Sequence, residues 1–208
     1  MDLKNKIKQY FAEALPGNEA HKKFSPAFRD EQIKFFPKHK YEAAVSIILF
    51  EQDKQLKVIF IRRVDDGGPH SRQIAFPGGT KEIKDKSLLE TAYRELLEEI
   101  GIEKNNLDFI KLLTTVYIPV SQYLVYPFVF YLNDKPKIIK CEKEVENVYL
   151  LNVKDFFYSD AIAKIEIAYN NKIYEVPCYK VNDIIIWGAT AMIWSECLTM
   201  LKPLFENV

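Results

Sequence analysis

Hydrophobic residues recur along this chain with two different periods, and each period predicts a different kind of element. Near the amino terminus, helical spacing relates Leu3, Ile7, Tyr10, Phe11 and Ala14, which predicts a helix over residues 2–14. The stretch that follows is polar and punctuated by prolines, and with the helix it forms a predicted N-terminal extension over residues 1–40. The apolar stripe of the helix is expected to pack on the domain or on a second subunit, and a membrane-surface helix is a further alternative.

After residue 40, runs rich in β-branched and aromatic residues predict a sheet. Residues 42–50 and 56–63 are two such runs, separated by a short polar segment that predicts a hairpin. Further strands are predicted at 108–117, 123–132, 163–169, 172–177 and 182–186, and helices at 152–158 and 188–202. Strands before and after helices favour a mixed β-sheet between helices, which is an α/β fold with α/β/α layers. We expect this domain to occupy residues 41–208.

Residues 87–101 predict a helix with well-defined ends. Ser87 and Glu90 have the spacing of a capping box, and Gly101 is typical of a helix C-terminus. One side of this helix is expected to pack on the sheet, because it carries Leu89, Ala92, Tyr93, Leu96, Leu97 and Ile100.

The other side of the same helix carries three carboxylates. Glu95, Glu98 and Glu99 fall within an arc of about 100° and are expected to face solvent. Like charges at this spacing cost a few tenths of a kcal/mol per pair unless a cation offsets them. Carboxylate oxygens suit Mg²⁺ or Mn²⁺. The alternative is a solvated acidic face in which Arg94 pairs with Glu98.

Composition and charge narrow the classes of protein to consider. The 208 residues are 48% hydrophobic and 28% charged, which suits one globular domain. The formal net charge of zero provides no overall attraction to nucleic acid or to an anionic membrane. Without a membrane-span-length apolar run or a secretory core, we expect a cytoplasmic protein. Cys141, Cys178 and Cys197 are widely spaced and are expected to be free thiols.

The segment before the acidic helix supplies a second motif. Residues 70–79 predict a short apolar strand that runs into a Pro-Gly-Gly turn, where glycines let the backbone approach a ligand closely. Gly79, the loop after it, the capped helix and residues 94–102 (RELLEEIGI) resemble the box that defines the Nudix hydrolases. The loop is one step longer than in the usual box, and the early acid of the box is at best Asp85.

In these departures the chain resembles the coenzyme A pyrophosphatase subfamily of Nudix hydrolases. That subfamily has an extra loop residue, an aspartate near the Asp85 position, and an Arg followed by His-x-Gly-Gln-Ile-x-Phe-Pro-Gly-Gly. Arg63 and residues 70–79 match this element, although Arg72 stands where the subfamily generally has glycine. The resemblance covers about residues 40–203 and implies the layered α/β/α Nudix fold.

The resemblance also implies roles for the acidic residues. Glu95 and Glu99 would be the principal metal ligands, and Glu98 a further ligand or the base that deprotonates water. Arg94 would hold the Glu98 carboxylate rather than touch the substrate. Glu144 sits where other members supply an extra acid, and a solvated edge residue is the alternative. By the same resemblance, the residues expected to bind substrate are Arg63, His70, Arg72, Gln73, Phe76, Gly78 and Gly79.

For three tyrosines the sequence allows either a binding role or a packing role. For two tryptophans and two histidines it predicts only a structural position. The tyrosines at 117, 123 and 126 offer surface on which an adenine could stack, but tyrosines in a half-buried strand more often serve packing. Trp187 and Trp194 are expected in the core of the last helix. His21 and His39 are expected on the surface of the extension.

The predicted activity is Mg²⁺- or Mn²⁺-dependent hydrolysis of a diphosphate. The resemblance implies coenzyme A or its thioesters as substrate, with 3′,5′-ADP and 4′-phosphopantetheine, or its acyl form, as products. One alternative is another nucleoside diphosphate derivative, such as a dinucleotide, a nucleotide sugar or a nucleoside triphosphate. A further alternative is a Nudix-fold sensor without turnover. The predicted partner is thus a small molecule, with neither nucleic acid nor membrane, and a homodimer is left open.

Overall fold

The structure, a computed structural model, describes residues 2–68 and 70–206. In these residues the α-helices are α1 (Leu3–Ala12), α2 (Asn18–Lys22), α3 (Arg29–Phe35), α4 (Leu88–Ile100) and α5 (Gly188–Leu201). The strands are β1 (Tyr41–Gln52), β2 (Gln55–Arg63), β3 (Ile74–Ala75), β4 (Gly78–Thr80), β5 (Leu107–Leu112), β6 (Val116–Ile118), β7 (Tyr123–Leu132), β8 (Val145–Asn152), β9 (Ile162–Tyr169), β10 (Lys172–Val181) and β11 (Ile184–Trp187). Short 3₁₀ turns lie at Lys104–Asn106, Val153–Phe157, Ser159–Ala161 and Lys202–Leu204.

The strands form two sheets. In the eight-stranded mixed sheet, β1 pairs in parallel with β7 and antiparallel with β2 and β4. Strands β5 and β6 extend the sheet beyond β7, and β3 and β8 pair with β2. Strands β9, β10 and β11 form a second, antiparallel sheet. The mixed character of the main sheet was predicted from the sequence and is confirmed.

Both faces of the main sheet are buried, and the alternation of side chains along each strand shows this directly. On β1 and β2, Ile48 and Ile59 belong to the core cluster beneath α4. Their neighbours Ile47 and Phe60 belong to the larger cluster that includes α5 and the second sheet. The sheet is therefore sandwiched, and the predicted α/β/α fold is confirmed.

Helix α4 has the ends that its sequence predicts. The Ser87 hydroxyl accepts a hydrogen bond from the Glu90 amide at 3.2 Å, and Gly101 adopts a left-handed conformation with φ of 72°. The Glu90 carboxylate accepts from the Lys86 amide at 2.9 Å, one residue before the usual capping-box partner. The expectation that Leu97 packs on the sheet is wrong, because its side chain is 54% exposed.

Several predicted elements differ in their bounds or type. The predicted strand at 108–117 is interrupted between β5 and β6, opposite Pro127 of β7, which has no amide proton to donate. The predicted helix at 152–158 is a 3₁₀ turn. The expected Pro-Gly-Gly turn is wrong, because Gly78 and Gly79 belong to β4 and pair with β1. Strand β8 was not predicted over its length.

The N-terminal extension packs on the rest of the chain, which was one of the open alternatives. In α1, Ile7 and Phe11 are buried in the larger core cluster. The expectation of a surface position for His21 is wrong. Its ring is buried at 3.1 Å from the carboxylate of Glu196 on α5. Helices α2 and α3 were not predicted, since they are short and lie in a polar stretch; His39 is exposed as expected.

Two further expectations concern cysteines and membranes. The three cysteines are free thiols, as predicted. No helix in residues 2–68 and 70–206 is both long and apolar enough to cross a membrane. The domain boundary at residue 40 and the cytoplasmic location stay predictions, and the domain range also includes Pro69, Asn207 and Val208, which lie outside the described residues.

Candidate active site

An acidic cavity lies where β4 passes the acidic side of α4. Its volume is about 300 Å³. Residues from β2, β4, the loop after β4, α4 and the segment before β8 line it: Arg63, Gly78, Gly79, Thr80, Glu82, Arg94, Glu95, Glu98, Glu99 and Glu144. The cavity therefore gathers every acidic residue that the sequence assigns to metal binding, together with two of the predicted substrate-binding glycines.

Three carboxylates in this cavity lie close enough to share one cation. One oxygen from each of Glu95, Glu99 and Glu144 lies within 4.8 Å of the other two. The expectation that the acidic stripe of α4 faces solvent is wrong for two of its members, because Glu95 is 8% and Glu99 1% exposed. Glu144 is exposed and completes the group from the opposite wall.

The two glycines of β4 allow the carboxylates to lie this close to the backbone. A Cβ atom at position 79 would stand 2.6 Å from Oε1 of Glu95, so a side chain there would require the carboxylate to move. Gly78 has φ of 152° and its amide donates to Oε2 of Glu99 at 2.8 Å. The glycines predicted to bind substrate thus also hold the two buried glutamates in place.

The electrostatics of this carboxylate group favour a cation. Burial raises the pKa of Glu99 to about 8, and the nearby charges of Glu95 and Glu144 add to this effect. The Gly78 amide and Arg63, whose Nη1 lies 4.0 Å from Glu99, act in the opposite direction. Burial also raises the pKa of Glu95. Buried oxygens that repel one another fit a hard divalent cation such as Mg²⁺ or Mn²⁺.

Arg94 holds the acidic side of α4 together. The predicted pair with Glu98 is present, with Nη1 2.8 Å from the carboxylate. The main partner is Asp85, which accepts from Nε at 3.1 Å and from Nη2 at 3.0 Å. Nη1 also donates to Glu95 at 2.7 Å. The guanidinium therefore holds the pKa of Asp85 well below its usual range. Its hydrogen bond to Glu95 fixes the orientation of that carboxylate.

Glu98 lies at the cavity without joining the three-carboxylate group. Besides Arg94, it faces Lys84 at 3.8 Å. Its role as a further ligand or as the base stays a prediction. Glu82, which the sequence interpretation missed, lines the same cavity and approaches Arg94 at 3.6 Å. Only its position in the loop before α4 could have signalled this.

A second cavity of about 330 Å³ adjoins the acidic one and shares Arg63, Gly78, Gly79 and Thr80 with it. Three further predicted substrate-binding residues line it: His70, Gln73 and Phe76. The His70 ring lies 3.0 Å from the Ser121 hydroxyl, and burial lowers the pKa of this histidine. Phe76 also stacks on Phe60 in the core, so it serves packing as well.

The aromatic candidates divide between this second cavity and the core. Tyr117 and Tyr123 line the cavity, whereas Tyr126 does not and donates to Glu42 at 3.0 Å. Trp194 is buried in the core as expected. The expectation for Trp187 is wrong, since it ends β11, is half-buried and lines the cavity.

Arg72 is the predicted substrate-binding residue that the structure does not bring to either cavity. Its side chain is exposed and lies 3.8 Å from Glu146. Its backbone has φ of 57°, a left-handed conformation that favours glycine. This conformation gives a physical reason for the glycine that the coenzyme A pyrophosphatase subfamily generally has here.

The N-terminal extension contributes lining residues that the sequence interpretation missed. These are Pro26, Phe28, Arg29 and Gln32, on α3 and the segment before it. They precede the box by a long stretch of chain and follow no motif, so their proximity to the second cavity arises only from tertiary packing.

Comparisons with known proteins agree with this fold and show the family. The family model of the NUDIX domain matches residues 40–170, and the chain belongs to this family. Nudix hydrolase 15, mitochondrial, of Arabidopsis thaliana is 32% identical over 181 residues, which are 82% of this chain and 61% of the relative. The uncharacterized Nudix hydrolase NudL of Pectobacterium atrosepticum is 26% identical, over 76% of this chain and 81% of the relative.

A solved structure supports the fold over nearly the whole chain. The MutT/nudix family protein from Enterococcus faecalis superposes with a TM-score of 0.53 at 14% identity, covering 98% of this chain and 76% of that protein. At this identity the similarity concerns the fold alone. The chain spans 61% of the length of the Arabidopsis relative named above. The activity of this chain is therefore not taken from that relative.

Proposed function

We propose that this protein is a Mg²⁺- or Mn²⁺-dependent hydrolase of a diphosphate, with coenzyme A or its thioesters as substrate. The observation that carries the proposal is the group formed by Glu95, Glu99 and Glu144, whose oxygens lie within 4.8 Å of one another beside the two-glycine strand. Membership of the NUDIX family supports the same reaction class.

Glu95, Glu99 and Glu144 would hold the cation. When bound, it would neutralise charge on the diphosphate oxygens and lower the pKa of a coordinated water. The residues around it have separate tasks. Arg94 fixes Glu95 and Glu98 through its hydrogen bonds, and the Gly78 amide fixes Glu99. Arg63, which lines both cavities, is placed to neutralise a phosphoryl oxygen.

The choice of coenzyme A rests on two observations. Arg63 and residues 70–79 match the element of the coenzyme A pyrophosphatase subfamily, and five of that segment's expected binding residues line one of the cavities or both: His70, Gln73, Phe76, Gly78 and Gly79. The second cavity adjoins the carboxylate group and includes apolar residues such as Phe28 and Ile118. It suits the group on one side of the diphosphate of this substrate, which is either the long, largely uncharged pantetheine arm or the adenosine.

Substrate profiling tests this proposal. Purified protein is incubated with coenzyme A, NADH and ADP-ribose in Mg²⁺, and products are separated by chromatography. We expect 3′,5′-ADP and 4′-phosphopantetheine to form fastest. Glu99→Gln should lower the rate at least about a hundredfold, whereas Glu103→Gln, an exposed glutamate just beyond α4, should leave it unchanged.

Three results would count against the proposal. Slower cleavage of coenzyme A than of both other compounds would contradict the substrate and favour another nucleoside diphosphate derivative. Undiminished hydrolysis in Glu99→Gln would contradict the metal site, and no hydrolysis of any diphosphate by the wild type would favour the sensor alternative.

A further inference from the structure

The N-terminal extension forms part of the wall of the second cavity, and this wall carries a positive charge. Arg29, the first residue of α3, lines the cavity together with Gln32 one helical turn later. Neither residue belongs to the Nudix box. They have no part in holding the carboxylate group, so their position calls for a separate explanation.

Arg29 is a half-buried cation without an ion-pair partner in the described residues. Its Nη2 donates to the backbone carbonyl of Tyr117 at 2.9 Å, and burial lowers its pKa. The neighbouring Asp30 acts on it electrostatically without forming an ion pair. A guanidinium has five N–H donors. Several of them are therefore left for a ligand in the cavity.

Gln32 supplies an independent observation. Its side chain is 8% exposed and lines the same cavity. Among the described residues, no hydrogen bond involves its side-chain amide. The side-chain amide atoms of Gln32 are not among the fully buried polar atoms that lack a partner, so this amide is accessible from the cavity. It can therefore hydrogen-bond a polar group of a ligand.

The structure holds this wall firmly against the cavity. The Tyr117 hydroxyl donates to the backbone carbonyl of Phe36, at the end of α3, at 2.6 Å. At the other end of the extension, the buried Glu196 accepts from the Gly17 amide at 3.1 Å and pairs with His21. Arg29 is thus positioned before any ligand binds, which reduces the entropic cost of recognition.

We propose that Arg29, assisted by Gln32, binds a second anionic group of the substrate, separate from the diphosphate that is hydrolysed. This inference rests on the proposed function, because it takes the acidic cavity as the diphosphate site. The ligand chemistry is a phosphate on a ribose or a carboxylate at the end of an acyl group, both of which accept hydrogen bonds from a guanidinium. The N-terminal extension is then a determinant of specificity.

Binding of matched ligand pairs tests this inference without requiring turnover. Dissociation constants are measured by calorimetry with Ca²⁺ in place of Mg²⁺. The pairs differ by one anion: coenzyme A and dephospho-coenzyme A, NADPH and NADH, and succinyl- and butyryl-coenzyme A. We expect the wild type to bind the more anionic member of at least one pair on the order of tenfold more tightly. The pair that shows this preference identifies the source of the anion.

Two variants and one control complete the test. Arg29→Gln should bring the affinity ratio to about one. Gln32→Glu should do the same, because it places a carboxylate beside Arg29. Lys34→Gln removes an exposed charge from the same helix and should preserve the ratio. Thermal unfolding of each variant verifies that α3 stays folded.

The inference is wrong if the wild type prefers no anionic member, or if the preference persists in both Arg29→Gln and Gln32→Glu. An equal loss of affinity for both members of each pair would also overturn it, since that result indicates a structural role. These outcomes are independent of the hydrolysis assay, so the proposed function can fail or hold separately.

Discussion

Single side chains in the acidic cavity depend on the backbone that faces them. Glu95 and Glu99 are buried, and this is costly for carboxylates unless they are compensated. The Gly78 amide and Arg94 compensate in part, while the absence of a side chain at Gly79 provides the space. The sequence interpretation identified these residues by their resemblance to a family. It expected metal-binding carboxylates that face solvent, because helical periodicity carries no information about how closely β4 approaches α4.

Substituting Gly79 tests this dependence on space. Gly79→Ala places a Cβ atom only 2.6 Å from the present position of Oε1 of Glu95, so the carboxylate must move. We expect a weaker apparent Mg²⁺ affinity and a rate about ten- to a hundredfold lower. Gly68→Ala is the control, because its Cβ atom would meet only the Asp66 side chain. Equal rates for the two variants at limiting Mg²⁺ would contradict the account.

The raised pKa of Glu99 predicts a pH-dependent effect on the stability of the metal-free protein. A carboxyl group whose pKa rises to about 8 on folding binds a proton more tightly in the native state. Wild-type stability should therefore fall as the pH rises from about 4.3 towards 8. Glu99→Gln removes this dependence. The melting temperature of the variant in EDTA, relative to that of the wild type, should therefore rise as the pH increases across this range. A constant difference between the two proteins from pH 5 to pH 8 would contradict the shift.

Helices and strands could be predicted with uneven success. The long elements β1, β2, β7, α4 and α5 followed from their runs or periods of apolar residues, and α4 also from its capping residues. Short elements did not. Helix α2 depends on tertiary contacts such as the hydrogen bond from the Ser195 hydroxyl to the Ala20 carbonyl at 3.1 Å. Strand β4 forms because two glycines fit against β1, and the same residues resemble a turn in the sequence.

The attachment of the extension to α5 predicts a second pH effect, of opposite sign. Burial alone would raise the pKa of Glu196, but hydrogen bonds from His21 and Thr114 bring it below its usual value. Glu196→Gln should lower the free energy of unfolding at pH 7 by about 1–3 kcal/mol. This difference should shrink as the pH falls below about 4.3.

Urea unfolding at pH 7, 4 and 3 measures this effect. Glu103→Gln serves as the control and should match the wild type throughout. A loss for Glu196→Gln that stays the same at all three pH values would show that the carboxylate charge does not stabilise the attachment.

The protein as a whole is an α/β/α sandwich in which the acidic cavity lies on one side of β4 and the second cavity extends towards the N-terminal extension. The layers could be predicted, because both faces of β1 and β2 are apolar. The contribution of the N-terminal extension to the wall of the second cavity could not be predicted, because Arg29 and Gln32 follow no motif. In this arrangement the family box supplies the reaction, and residues outside the box supply the surroundings of the substrate.

Locating a divalent cation in a crystal tests the proposed metal site most directly. Crystals are soaked in Mn²⁺ with a non-hydrolysable methylene analogue of a nucleoside diphosphate, and anomalous difference maps are calculated. We expect an anomalous peak between the carboxylates of Glu95, Glu99 and Glu144, and we expect this peak to be absent in Glu99→Gln. A map without a peak beside these three side chains, despite bound diphosphate analogue, would contradict the account.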